Sequence, residues 1–137
     1  MSLLNIFEIA GSAMSAQTVR MNTTASNMAN LDSVSSSEGD TYRARHPIFQ
    51  TMYSDMMKNG MSSGVRVSEI MESQSPLRKE YQPQHPKADE DGYIFYPNVN
   101  SIEEMANMMS ATRSFQNNVE IINASKQMLL RTLSIGQ

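Results

Sequence analysis

The chain has 137 residues, no cysteine, no tryptophan and a formal net charge of −3. This length corresponds to one domain, and the lack of cysteine excludes disulfides, thiolate metal sites and cysteine nucleophiles. The mild charge and the absence of a Lys/Arg run argue against nucleic acid or an acidic membrane surface as a partner. Asn5 and Glu8 interrupt the N-terminal apolar run, so we expect neither a secretory signal peptide nor a membrane span.

The first predicted element is a long helix from about Ser2 to about Ala29, followed by residues that favour caps and turns. Apolar residues recur along it every seven positions, with a second set in the alternate slots. This spacing predicts a narrow apolar seam of the coiled-coil type rather than a broad globular face. Small residues around Gly11 also predict a close approach by a packing partner. The seam residues are Leu3, Phe7, Met14, Met21, Met28 and Leu31.

The middle of the chain is polar and contains short strand patterns. Thr41–Tyr53 is predicted to be extended, and Pro47 within it indicates an edge strand or a bulge. Val65–Ser68 alternates with period two, which predicts a half-buried strand that pairs with Arg78–Gln82 as a hairpin. Tyr93–Tyr96 is predicted as a short final strand before a proline.

A second long helix is predicted from Ser101 to about Ser134. Ser101 and Glu104 have the spacing of a capping box, and Gly136 is the expected C-terminal stop. Lys126 falls on the apolar seam of this helix, where it can extend towards solvent or specify register. The seam residues are Met105, Met108, Phe115, Val119, Ile122, Leu129 and Leu133.

These elements together predict a mainly α fold with three segments. Residues 1–31 and 101–137 form long helices packed as a coiled-coil-like pair, and residues 32–100 form a small middle segment with short strands and extended loops. The two seams are expected to bury against each other and against neighbouring copies or partner chains. The sequence therefore indicates a protein that assembles.

No set of residues has the spacing of a catalytic, cofactor or metal site. His46 and His85 each precede a proline and have no partners at metal-ligand spacing. Asp89–Gly92 superficially resembles a calcium loop, but that alignment places Lys87 first and Asn98 twelfth, where acidic ligands are required. We therefore expect no cofactor and no enzymatic activity.

Three motifs carry a resemblance to a known family. The first is Ala-Ser-Asn-Met-Ala-Asn at 25–30, the second is the segment 110–118, and the third is Ala-Asp-Glu-Asp-Gly-Tyr at 88–93. With them the chain resembles the bacterial flagellar axial proteins, which comprise rod, hook and hook-associated proteins, and within them the proximal rod members. The motif residues are Ala25, Asn27, Ala29, Asn30, Asp91, Gly92, Tyr93, Arg113, Gln116 and Asn118.

The resemblance implies a structural subunit of the flagellar rod in the basal body. Such a subunit is exported by the flagellar type III apparatus without a cleaved signal, and it polymerises into the periplasmic drive shaft that transmits torque from motor to hook. Implied partners are copies of itself, other rod proteins, the adaptor between rod and MS ring, and the export gate. The resemblance implies neither nucleic acid nor a membrane span.

Two other functions compete with this interpretation. A coiled-coil adaptor or type III-secreted protein outside the flagellum would form a stable oligomer of fixed size. An enzyme with a cryptic site would depend on residues such as His46, His85 or Asp89, and we rank this alternative last.

Overall fold

The computed structural model describes residues 3–53 and 62–135, which form two helices and two small sheets. No helix in these ranges is long and apolar enough to cross a membrane. In chain order the elements are α1 (Leu3–Ala29), β1 (Arg45–Tyr53), β2 (Ser62–Glu72), β3 (Arg78–Tyr81), β4 (Tyr93–Tyr96) and α2 (Ser101–Ile135).

Both predicted helices are confirmed, with ends within a residue or two of the prediction. Helix α1 has 27 residues and helix α2 has 35. They pack antiparallel, since Asn27 near the end of α1 bonds Glu104 near the start of α2, and Arg20 bonds Asn107 at 2.9 Å. The extra turns of α2, roughly 12 Å at 1.5 Å per residue, therefore lie at its C-terminal end, past the start of α1. The predicted stop at Gly136 lies outside the described residues.

The predicted capping box at the start of α2 is wrong. Asn100 is the N-cap, because its side-chain Oδ1 accepts from the Ile102 amide at 3.1 Å and its carbonyl accepts from the Glu104 amide at 3.0 Å. The Glu104 carboxylate bonds Asn27 at 3.0 Å instead of the amide of Ser101. A buried tertiary hydrogen bond has thus replaced the local one.

The strand positions are confirmed, but the predicted pairing of β2 with β3 is wrong. Strand β2 pairs antiparallel with β1, and β3 pairs antiparallel with β4. The connection between β2 and β3 is held by Asn98, which donates to the carbonyls of Ser73 and Ser75, at 3.3 and 2.8 Å. Pro47 lies in β1, which in a two-stranded sheet has one free edge, as predicted for a strand containing proline.

The hairpin of β1 and β2 packs on α1 through a close contact at Gly64. The Ser12 hydroxyl donates to the Ile9 carbonyl at 2.8 Å and accepts from the Val65 amide at 3.1 Å, so it joins the helix to the strand. Gly64 has φ +148°, and a Cβ there would collide with the Ser12 hydroxyl. The close approach predicted for the small residues near Gly11 is therefore made by a strand, at Ser12.

The buried side chains in the described parts of the two helices are small or polar. Buried positions in the helices include Ala10, Ala16, Thr24, Asn27, Ala111 and Ser125, whereas the only large apolar side chain that is fully buried in the described residues is Ile94, in β4. The antiparallel helix pair with a small β-containing middle is confirmed. Coiled-coil packing between the two helices stays a prediction.

Candidate functional site

Asn27 is the centre of a buried polar cluster that joins three elements. Its side chain is fully buried. Its Oδ1 accepts from the Tyr42 hydroxyl at 2.8 Å and from the Arg45 amide at 2.9 Å. Its Nδ2 donates to the Arg45 carbonyl at 2.9 Å and to Glu104 Oε1 at 3.0 Å. All four hydrogen-bonding positions of the amide are therefore used, and α1, the start of β1 and α2 are held in one arrangement.

Glu104 is the acidic member of this cluster and is only 3% exposed. Its Oε1 accepts from Asn27, while its Oε2 is buried with no hydrogen-bond partner among the described residues. Burying a carboxylate with one oxygen unpartnered costs free energy. The contact is thus better suited to fixing the position of α2 against α1 than to maximising stability.

The other residues of the N-terminal motif have local or outward positions. The Asn30 side chain donates to the Ser26 carbonyl at 2.9 Å and closes the end of α1. Ala25 and Ala29 are exposed. Ser26 supports the cluster, since its hydroxyl lies 3.2 Å from the Tyr42 hydroxyl.

The central motif forms a tight turn before β4. Asp89 Oδ1 accepts from the amides of Asp91, at 3.0 Å, and Tyr93, at 2.7 Å. Gly92 has φ +81°, and a Cβ there would lie 2.9 Å from the ring of Tyr81. This motif therefore shapes the hairpin of β3 and β4, and one carboxylate oxygen of Asp89 is occupied by backbone amides.

The histidines take no part in a metal site within the described ranges. His46 is exposed, and His85 Nδ1 accepts from the Lys87 amide at 3.1 Å. No group of three or more His, Asp or Glu side chains in those ranges could hold a metal ion.

The C-terminal motif lies on the middle of α2. Asn118 donates to the Ser114 carbonyl of its own helix at 2.8 Å. Arg113 and Gln116 are exposed. The structure brings none of these three residues to the Asn27 cluster through a hydrogen bond in the described part of the chain.

The predicted seam is only partly covered within one chain. The side chain of Leu3 lies outside the described part, and the seam residue Lys126 is exposed. Met105 is 51% exposed and Leu133 is 68% exposed. The remaining seam residues are half-buried: Phe7, Met14, Met21, Met28, Leu31, Met108, Phe115, Val119, Ile122 and Leu129.

Helix α2 also exposes large apolar side chains that the heptad pattern missed. Ile102 is 78% exposed and Met109 is 58% exposed, and both lie on the helix side that faces away from α1. Ile102, Met105 and Met109 are spaced i, i+3, i+7 and so form an apolar stripe on the helix. The spacing is visible in the sequence, but only Met105 was assigned to the predicted seam. We call Ile102, Met105 and Met109 the outer α2 surface; Ile121, Met128, Leu130 and Leu133 are also exposed but lie elsewhere on α2.

Two family models and several relatives match the chain. A model described as flagella basal body rod protein matches residues 7–35, and one described as flagellar basal body rod FlgEFG protein C-terminal matches residues 90–135. The flagellar basal-body rod protein FlgC of Salmonella typhimurium is 48% identical over 137 residues, which is 100% of both chains. FlgC of Yersinia enterocolitica is 50% identical over the same span. FlgC of Borreliella burgdorferi is 34% identical over 151 residues, covering 100% of this chain and 99% of its own.

Proposed function

The chain belongs to the FlgC family of flagellar basal-body rod proteins, and we propose that it polymerises with other rod proteins into the helical drive shaft between motor and hook. Members of this family are structural components of the rod, so the chain is a structural subunit and not an enzyme. The full-length similarity disfavours an adaptor outside the flagellum.

The observation that supports polymerisation is the outer α2 surface. Its residues Ile102, Met105 and Met109 have the i, i+3, i+7 spacing of one apolar stripe, and exposed apolar patches on a single chain mark interaction sites. Full burial of one Leu, Ile or Met side chain contributes about 1.5–3 kcal/mol, so covering even part of this surface would favour association strongly. An interface between two different patches generates an open helical assembly when it does not close into a ring.

The Asn27 cluster supports the same function by fixing the geometry of the helix pair. Subunits that transmit torque must keep their packing surfaces in a constant relative position. The hydrogen bonds between Asn27, Glu104 and the backbone of Arg45 link α1, β1 and α2 inside one subunit. The half-buried seam is then completed by neighbouring subunits, and coiled-coil packing arises in the assembled rod.

The specific partners and the route to the rod follow from the same proposal. The subunit contacts copies of itself and other rod proteins, with the adaptor between rod and MS ring and the export gate as further partners. It reaches the periplasm through the flagellar type III apparatus, without a cleaved signal peptide. The relatives support this proposal through their identity as rod proteins.

The role of the outer α2 surface in assembly is tested by the substitution Met105→Asp. Asn117→Asp, on the same helix, is the matched control. Met105 is 51% exposed and Asn117 is exposed, so neither change should unfold the isolated chain. We expect Met105→Asp to retain the circular dichroism spectrum of the parent, to be lost from isolated basal bodies and to abolish swimming. Asn117→Asp should swim normally.

Variants of the half-buried seam extend the test. Phe115→Asp or Ile122→Asp should also abolish rod assembly and motility, and normal swimming by either would refute the role of the seam. Normal swimming by Met105→Asp, with the chain present in basal bodies, would refute the role of the outer α2 surface.

A further inference from the structure

Two exposed methionines lie side by side on α2. Met105 and Met109 are four residues apart, so they are neighbours on one side of the helix, and both belong to the outer α2 surface. Met105 is 51% exposed and Met109 is 58% exposed. Since most of the area of a methionine belongs to its side chain, both thioether groups are open to small molecules in the solvent until the surface is covered.

The other methionines of the predicted seam are less accessible. The Met21 sulfur, for example, lies 3.6 Å from the Thr112 hydroxyl, between the two helices. Oxidation of a thioether depends on exposure, because the oxidant has to reach the sulfur. Met105 and Met109 should therefore react before the half-buried seam methionines, which are Met14, Met21, Met28 and Met108.

Oxidation would change the chemistry of the outer α2 surface without breaking the chain. A two-electron oxidant such as hydrogen peroxide transfers one oxygen atom to the sulfur. A sulfur lone pair forms the new S–O bond, the O–O bond of the peroxide breaks, and the second oxygen leaves as water. The product, methionine sulfoxide, carries a polar oxygen on a formerly apolar side chain, and sulfoxide reductases return it to methionine.

We propose that Met105 and Met109 form a reversible oxidation site that controls incorporation of the chain into the rod. The inference rests on the proposed function, in which a neighbouring subunit covers the outer α2 surface. Covering this surface would take two sulfoxide oxygens out of water, and burial of a polar group without a hydrogen-bond partner is unfavourable. Oxidised chains are then left out of the rod, whereas chains that have already assembled keep both sulfurs covered.

The test measures how much of the full chain enters basal bodies when a pulse of hydrogen peroxide is given while rods are being built. The test variant carries Met105→Leu and Met109→Leu, since leucine has a similar volume but no oxidisable sulfur. Met71→Leu is the matched control, because Met71 is 52% exposed and lies on β2. Each chain is compared with itself, with and without peroxide, by quantitative mass spectrometry of isolated basal bodies.

The three chains should respond differently to the pulse. Peroxide should lower the amount of the parent chain in basal bodies by about tenfold, the effect of one poorly partnered polar group at an interface. The Met71→Leu chain should fall by the same factor, because Met105 and Met109 are still oxidised in it. The double variant should show little or no fall. An equal fall in the double variant and the parent would overturn the inference.

A second measurement uses the parent chain alone and depends on no substitution. Chains synthesised during the pulse carry an isotope label, and peptide mass spectrometry gives the sulfoxide fraction at each methionine. At Met105 and Met109 this fraction should be about tenfold lower in basal bodies than in the pool of unassembled chains. Equal sulfoxide fractions in the two pools would show that oxidised chains are incorporated, and the inference would be wrong.

The outcomes separate this inference from the proposed function. If the parent chain enters basal bodies equally well after a pulse that oxidises Met105 and Met109 in the unassembled pool, the oxidation site is refuted and the rod function stands. Absence of the parent chain from basal bodies without peroxide would overturn the proposed function and this inference with it.

Discussion

Replacing Asn27 by alanine should destabilise the isolated chain severely. The substitution removes four hydrogen bonds made by a fully buried side chain. Tyr42 retains Ser26 within 3.2 Å. The Arg45 amide and the Glu104 carboxylate are left without their partner.

Each buried polar group that loses its partner costs about 1–3 kcal/mol, and more when it is charged. Two such groups give a loss of about 3–5 kcal/mol for Asn27→Ala. A domain of this size has a total stability of about 5–15 kcal/mol, so the variant should be close to the limit of folding.

The assay is urea unfolding of the purified chain followed by circular dichroism at 222 nm. Asn22→Ala is the matched control, since Asn22 lies on the same helix and is exposed; its change should stay within about 0.5 kcal/mol. A loss below about 1 kcal/mol for Asn27→Ala would show that the cluster does not hold the helices together.

Two further substitutions test the same contacts. Asn27→Asp should destabilise the chain because it replaces the donor to Glu104 with a second carboxylate, and Glu104→Gln in the same chain should restore part of the loss; a double-mutant cycle without coupling would contradict this. Gly64→Ala should cost about 1–3 kcal/mol, from the disfavoured φ and the collision with the Ser12 hydroxyl, whereas Gly39→Ala, with open space around it, should be neutral or slightly stabilising in the same unfolding assay. Equal effects of the two glycine variants would contradict the tight contact at Ser12.

The helices could be predicted from sequence because their determinants are local. The hydrophobic period, the helix length and the absence of proline are all properties of neighbouring residues, and the helix bounds agree closely with the structure. The strand pairing could not be predicted in the same way. Strand β2 pairs with β1, and the loop that follows it is bonded by Asn98 from 23 and 25 residues away in sequence.

The roles of the functional residues also depend on contacts between residues that are distant in sequence. Asn27 was identified by a motif, but its role depends on Glu104, 77 positions later, and on the backbone of Arg45. That contact is also the reason why the predicted capping box failed. Ile102 and Met109 were missed because a heptad reading selects one stripe of a helix, and their exposure depends on the side from which α1 packs.

The methionines offer the most direct measurement of whether neighbouring subunits cover the apolar surface of α2. Peroxide converts exposed methionine to its sulfoxide, and peptide mass spectrometry gives the rate at each position. Met105, Met109 and Met128 are 51%, 58% and 50% exposed in the single chain. They should be oxidised rapidly in the isolated protein and be strongly protected in isolated basal bodies. Equal oxidation rates at these three positions in both states would contradict burial of this surface by assembly.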